Sequence, residues 1–239
     1  MNAGWITDIG CVRTNNEDNI LIDEKQGIFL LADGMGGHNA GEVASDIAVK
    51  EAYAFILDRL GRTGREEDPL EILEAALQHA HAAVRAKALS DSSLNGMGTT
   101  LIELYIRGDA AYLCHAGDSR GYLLRGGLER ITRDHTVGDS YVASGQMETQ
   151  KVPPRMWHIL TQAVGTSESP VPDKKMLELQ PGDLLLLCSD GLTDMLSDAD
   201  IEALVIGHRS MLSEMARALA EAAKKKGGKD NISLIAVRR

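Results

Sequence analysis

Aromatic residues are scarce in this chain: two Phe, two Trp and five Tyr make up only 4% of its 239 residues. So few rings leave little material for stacking bases or sugars. Cysteine is equally thin. Cys11, Cys114 and Cys188 are widely spaced, with neither a CxxC pair nor a disulfide framework, which points to a reducing compartment. The longest aliphatic run, Leu184 to Leu187, is far too short to cross a bilayer, and residues 1–10 lack the basic and apolar regions of a leader. A cytoplasmic, soluble protein without a membrane partner is therefore expected. Positive charge is also in deficit. The net charge of −10 argues against nucleic acid, because phosphate backbones are bound mainly through Lys and Arg.

Repeats, low-complexity segments and long linkers are missing too, so residues 1–239 read as a single domain. Nothing in them demands a partner chain, and a monomer is expected. What is present is an ordinary globular composition, 44% hydrophobic and 25% charged, long enough to bury a sizeable core. Apolar stretches at 19–23 and 27–32, separated by a polar turn, predict a hairpin. Helical spacing follows over 42–60 and, opened by Pro69, over 69–89. Strands are predicted at 99–106, 110–115, 121–124 and 128–131, punctuated by Gly108-Asp109 and Gly126-Gly127. Residues 139–172 give mixed signals around Pro153-Pro154. Strands at 175–179 and 183–188, helices at 198–206 and 210–225, and a last strand at 232–237 complete the pattern. Helices and strands do not alternate one for one, which argues against a doubly wound parallel sheet. The α+β expectation is two stacked antiparallel sheets flanked by helices.

The chemistry concentrates where Asp meets Gly or Asn beside apolar strands: Asn16-Glu17-Asp18, Asp33-Gly34-Met35-Gly36-Gly37, Ser189-Asp190-Gly191 and Lys229-Asp230-Asn231. Asp-Gly is usually just a turn. Here two such pairs each end a fully apolar strand, so each carboxylate leaves the core at a defined place. Like charges about 4 Å apart repel by roughly 4 kcal/mol at an effective dielectric of 20. A converging cluster would need protons or cations, and oxygen-only ligands favour Mg²⁺ or Mn²⁺ over zinc.

Together with Asp8-Ile9-Gly10, Arg13, Gly98-Thr99-Thr100 and Gly117-Asp118-Ser119-Arg120, these segments form an ordered set running along nearly the whole chain. The set resembles that of the PPM (PP2C-type) protein phosphatases, and the Asp-Gly-Met-Gly-Gly form resembles their bacterial branch. That resemblance implies an α-β-β-α sandwich with two Mn²⁺ or Mg²⁺ ions at one edge of the sheets. It implies that Asp33 bridges the metals, that the Gly34 carbonyl helps to bind one, and that Asp190 and Asp230 hold the other. Glu17 and Asp18 would position metal-bound waters, Arg13 would grip the substrate phosphate, and Asp118 would help to bind a third metal. Phosphoserine and phosphothreonine in proteins would be hydrolysed by in-line attack of a metal-bridging hydroxide, reversing a cognate Ser/Thr kinase. Asp134-His135 resembles the start of the family's flap, placed within 134–172.

Met35 stands where eukaryotic relatives carry a His thought to be a general acid, which suggests that water protonates the leaving alcohol; His38 is a nearby substitute. Two rivals are a serine hydrolase and a phosphatase fold that no longer turns over. The first rests on the G-x-S-x-G match at Gly117 to Gly121, with Asp190 and His208 following, and requires a helix after Ser119. The second would have lost Arg13 or a metal aspartate, and all are present. Lys224-Lys225-Lys226 reads as a helix end meeting its dipole, and Met211 and Met215 as core filler.

Overall fold

The computed structural model describes residues 1–36, 40–61 and 67–239. His38 and Gly37 lie outside the described residues. In chain order the elements are β1 (Asn2–Asp8), β2 (Asp18–Asp23), β3 (Ile28–Met35), α1 (Ala40–Gly61), α2 (Pro69–Ser90), β4 (Gly98–Thr99), β5 (Leu101–Arg107), β6 (Ala110–Ala116), β7 (Arg120–Arg125) and β8 (Gly127–Arg130). They continue with α3 (Val137–Ala143), β9 (Asp173–Glu178), β10 (Leu184–Cys188), α4 (Asp190–Thr193), α5 (Asp198–Gly207), α6 (Leu212–Lys225) and β11 (Ile232–Arg238).

The strands form two antiparallel sheets. One is ordered β1-β11-β10-β7-β8 and the other β2-β3-β5-β6-β9, with β4 pairing the end of β3. Three apolar layers hold them. Phe29, Leu31, Ile102, Leu104, Leu185, Leu187 and Ile235 fill the space between the sheets. Ile28, Leu30 and Ala32 face α1 and α2, while Leu184, Leu186 and Cys188 face α5 and α6. Both faces of β3 and β10 are therefore covered, which is why their sequences are continuous apolar runs rather than alternating ones. Each fully buried leucine contributes roughly 2 kcal/mol of transfer free energy. The result is the expected α-β-β-α sandwich.

The helix ends follow their sequence signals. Asp68 caps α2 by accepting from the Leu70 N–H at 3.0 Å, with Pro69 next in line. Ser197 and Asp200 form a reciprocal capping box at α5. The lysine run at the end of α6 is tied to acids: Lys224 to Asp8 at 2.8 Å and Lys226 to Asp200 at 2.8 Å.

Several expectations change. β1 had no prediction: as an edge strand it is only half covered, and Trp5 on it is 53% exposed. The stretch predicted as one strand over 99–106 breaks at Thr100 into β4 and β5, because Thr100 turns its N–H onto the Asp33 carbonyl at 2.9 Å. Of the two methionines expected in the core, Met215 is buried but Met211, just before α6, is exposed. After Ser119 comes strand β7 and not a helix, so the serine-hydrolase alternative loses its required context.

Candidate active site

The carboxylates gather where strand ends from both sheets meet. Asp18 opens β2 directly opposite Asp33 on β3. Asp33 is fixed by its backbone: its N–H donates to Thr100 Oγ1 at 2.9 Å, and its carbonyl accepts from the Thr99 hydroxyl at 2.8 Å. Gly34 follows, and a Cβ there would lie 2.1 Å from the Gly41 carbonyl oxygen, so glycine is the residue that fits. From the other sheet, β10 ends at Cys188, and Ser189 donates its hydroxyl to Asp18 Oδ2 at 2.8 Å. Asp190 comes next. A Cβ on Gly191 would lie 2.0 Å from the Asn231 carbonyl oxygen, so a side chain there would push β10 and β11 apart just where Asp190 and Asp230 approach each other.

Asn231 is a knot that no sequence argument had assigned a task. Its Oδ1 accepts from the Glu17 N–H at 2.8 Å, and its Nδ2 donates to the carbonyls of Ile9 and Asn15 at 3.0 and 2.9 Å. One buried amide thereby holds the 9–17 loop, with Arg13 in it, against the start of β11. Arg13 Nη2 donates to Asp230 Oδ2 at 2.6 Å.

One cleft of about 430 Å³ collects Arg13, Asp33, Gly34, Asp118, Asp190 and Asp230, with Glu17 in its wall. Asp18 is not among the lining residues; it is buried behind Asp33. Met35 and Thr100 also face the cleft, as do His158, Leu160 and Asp194, which sequence reading did not single out. Ligand atoms of His158, Asp190 and Asp194 lie within 4.8 Å of one another. Asp194 follows Asp190 by one helical turn, an i,i+4 spacing that could have flagged it. His158 gave no such signal, because its place depends on how the 153–160 segment returns to the cleft.

The electrostatics are those of crowded acids. Burial, followed by the charges of Asp18 and Asp190, pushes Asp33 well above the usual carboxylate range. Asp190 is pushed the same way by burial and then by Asp118. Burial raises Asp18 to about 6 against the hydrogen bonds from Ser233 and Ser189, and raises Asp118 to about 6 with help from Asp134. Glu17 is also raised, chiefly by burial. Asp18 Oδ1 is buried without a partner among the described residues. An orphaned carboxylate oxygen beside converging oxygen-only ligands fits a hard divalent cation.

Known proteins carry the same plan. The sequence matches the family described as protein phosphatase 2C over residues 12–231. It is 37% identical to the serine/threonine phosphatase Stp of Listeria innocua, across 100% of this chain and 96% of that one. The crystal structure of the Mycobacterium tuberculosis serine/threonine phosphatase PstP superposes with a TM-score of 0.86 at 36% identity, covering 98% and 97% of the two chains. A structure of the PstP catalytic domain in complex with two manganese ions gives 0.84 at 37% identity, with 98% and 96% covered. With a family match over most of its length, 37% identity to a relative along the whole chain and the same fold, this chain belongs to the protein phosphatase 2C family.

Proposed function

We propose that this protein is a metal-dependent phosphatase acting on phosphoserine and phosphothreonine in proteins. The observation that carries the reading is the convergence of Asp33, Asp190 and Asp230 with Arg13 on one cleft. Two Mn²⁺ or Mg²⁺ ions would be held there by Asp33, the Gly34 carbonyl, Asp190 and Asp230, with Asp118 available to a third. When bound, such ions acidify water and offset charge on a transferring phosphoryl group. The manganese in the PstP structure supports this assignment, as does the mutual repulsion of the crowded carboxylates.

The chain's own residues supply the rest. Arg13 offers a planar fork of donors, one of them on Asp230, and presents the others to phosphoryl oxygens. Asp230 thus orients Arg13 and would also help to hold the cations. Glu17, in the cleft wall, would accept from metal-bound waters, and Asp18 would do so from its place behind Asp33. Thr100 holds the Asp33 backbone in place. Met35 cannot transfer a proton, so the departing serine or threonine alkoxide takes its proton from water. The 134–172 segment, which brings His158 and Leu160 to the cleft wall, acts as the flap that meets the substrate protein. In the cell the enzyme would work in the cytoplasm as a monomer, opposing a Ser/Thr kinase.

Hydrolysis of a phosphothreonine peptide tests the reading. Turnover should vanish with EDTA, return with excess Mn²⁺, and be absent in Asp33→Asn. Turnover indifferent to chelator would overturn it, and a folded protein inactive with every divalent cation would favour a binding module.

A further inference from the structure

Two stretches singled out in the sequence, Gly117-Asp118-Ser119-Arg120 and Asp134-His135, lie against each other and clamp the turn on either side of Asp118. On one side Arg120 grips Asp134: Nε reaches both carboxylate oxygens at 3.1 Å and Nη2 reaches Oδ2 at 2.8 Å. On the other side His135 holds Gly117 by both of its backbone groups. The His135 N–H donates to the Gly117 carbonyl at 3.0 Å, and the Gly117 N–H donates to His135 Nδ1 at 3.3 Å. Gly117 has φ +116°, and a Cβ would sit 2.5 Å from Thr100 Cγ2, so this turn has little freedom of its own.

His135 reaches the cleft by a second route. Its carbonyl accepts from the Thr161 N–H at 2.8 Å, and Thr136 pairs with Leu160. Leu160 and His158 line the same cleft as Asp118. One residue therefore joins the turn bearing Asp118 to the limb bearing His158.

The ring is oriented for this task. A neutral imidazole has one bare nitrogen, and here Gly117 uses it, so the proton sits on Nε2, which faces Asp173 Oδ2 at 3.4 Å. His115 stacks on His135 with centroids 4.7 Å apart and planes tilted by 11°, and its own Nε2–H donates to the Arg133 carbonyl at 2.9 Å. Ligand atoms of His115, His135 and Asp173 come within 4.8 Å of one another, and His115 Nδ1 is buried without a partner among the described residues. The trio is nevertheless a poor cation site, because the lone pair of His135 is already engaged.

We propose that His135 is a positioning residue: its ring nitrogen, rather than its bulk, sets the turn that presents Asp118, and its backbone keeps that turn in step with the 158–161 limb. The proposal rests on Asp118 being a ligand for an additional cation. Its test compares variants of the full chain that separate acceptor from bulk. Asn places an oxygen where Nδ1 stands. Phe keeps the stack on His115 but offers no acceptor, and Gln reaches towards Asp173 but not Gly117. The readouts are a calorimetric Mn²⁺ titration, amide exchange at Thr161, and the melting temperature. His135→Phe should weaken the weakest Mn²⁺ site by about tenfold, the scale typical of residues that orient metal ligands, and should speed Thr161 exchange. His135→Gln should behave like Phe, and stands in for it should Phe not fold. His135→Asn should stay within about twofold of the wild type, well inside that tenfold scale. Wild-type Mn²⁺ binding in Phe and Gln, or equal loss in Asn, would overturn the proposal. Asp118→Asn separates the two layers of the argument. Loss of the weakest site in Asp118→Asn alone would sink the role of His135, whereas an unchanged isotherm there would sink the ligand reading and the role of His135 with it.

Discussion

Strand β10 carries an aspartate just before it and another just after it, and the two live in opposite surroundings. Asp183, at the entry, is almost fully buried and almost fully satisfied. Arg125 grips it with Nε at 3.0 Å and Nη2 at 2.5 Å, and the Gln180 N–H donates to it at 2.7 Å. Those hydrogen bonds, led by the one from Arg125, hold its carboxyl below the ordinary range. Asp190, at the exit, faces Asp118, Asp194 and Asp230 and is pushed well above that range. One residue type at two ends of one apolar run thus stabilises the fold at one end and stores repulsion at the other. Stored repulsion of this kind marks a site built for something the chain does not itself supply.

The largest expected effect breaks the exit end. Asp190→Asn or Asp33→Asn should cut turnover by more than about 100-fold, beyond the loss typical of residues that merely orient ligands. The fold should be retained, and the metal-free protein should melt higher because one of the crowded charges is gone. Phosphopeptide kinetics with parallel melting curves would check both, and near-normal turnover at saturating Mn²⁺ would sink the proposed ligands. Arg13→Ala should come next, lowering kcat/KM by roughly 10- to 100-fold through loss of charge-assisted hydrogen bonds to phosphate. An unchanged kcat/KM would remove Arg13 from the substrate.

Damage at the entry end should look different. Asp183→Ala should cost about 2 to 3 kcal/mol of stability by stripping Arg125 and the Gln180 N–H of their acceptor. The folded fraction should keep its Mn²⁺ affinity and turnover. Denaturant unfolding alongside kinetics separates the two.

The smallest effect is a pH slope. Asp18 and Asp118 titrate at about 6 in the folded chain, against roughly 3.9 when unfolded. Between those values the folded state binds more protons, so their contribution to stability falls as pH rises through that window. In EDTA the melting temperature should therefore be higher at pH 5 than at pH 7.5, and saturating Mn²⁺ should flatten or invert the trend. Asp183 acts with the opposite sign: its contribution is present above its unfolded value and is lost as the medium becomes more acidic. A metal-free protein that gains stability from pH 5 to pH 7.5 would contradict the charge assignment.

Much of this was legible in the sequence because burial on two faces leaves a plain record. The runs Ile28 to Ala32 and Leu184 to Cys188 read as core strands, and the aspartates that follow them are in the cleft. Gly34 and Gly191 mark close backbone approaches, which a missing side chain signals directly. β1 left no record, because its two large apolar side chains, Trp5 and Ile6, are neighbours in sequence and give no alternation to read. Asn231 stands out beside Asp230 in the sequence, but its task does not: its hydrogen bonds join residues 214 to 222 positions apart, and a short polar side chain before a strand looks like any turn. His158 was hidden for a related reason, since the path of the Pro153-Pro154 segment is set by packing against the cleft. Asp118 was recognised by resemblance, but its double clamp by Arg120 and His135 emerges only when the two motifs are seen side by side.

The central claim is that the exit-end carboxylates are a cation site whose charge is unbalanced until it is filled. Calorimetric titration of the chelator-stripped protein with Mn²⁺, repeated on Asp33→Asn, tests it most directly. The account predicts at least two ions bound by the wild type, with a rise in melting temperature, and loss of that binding in the variant. A wild-type chain that binds no Mn²⁺, or a variant with the same isotherm, would contradict it.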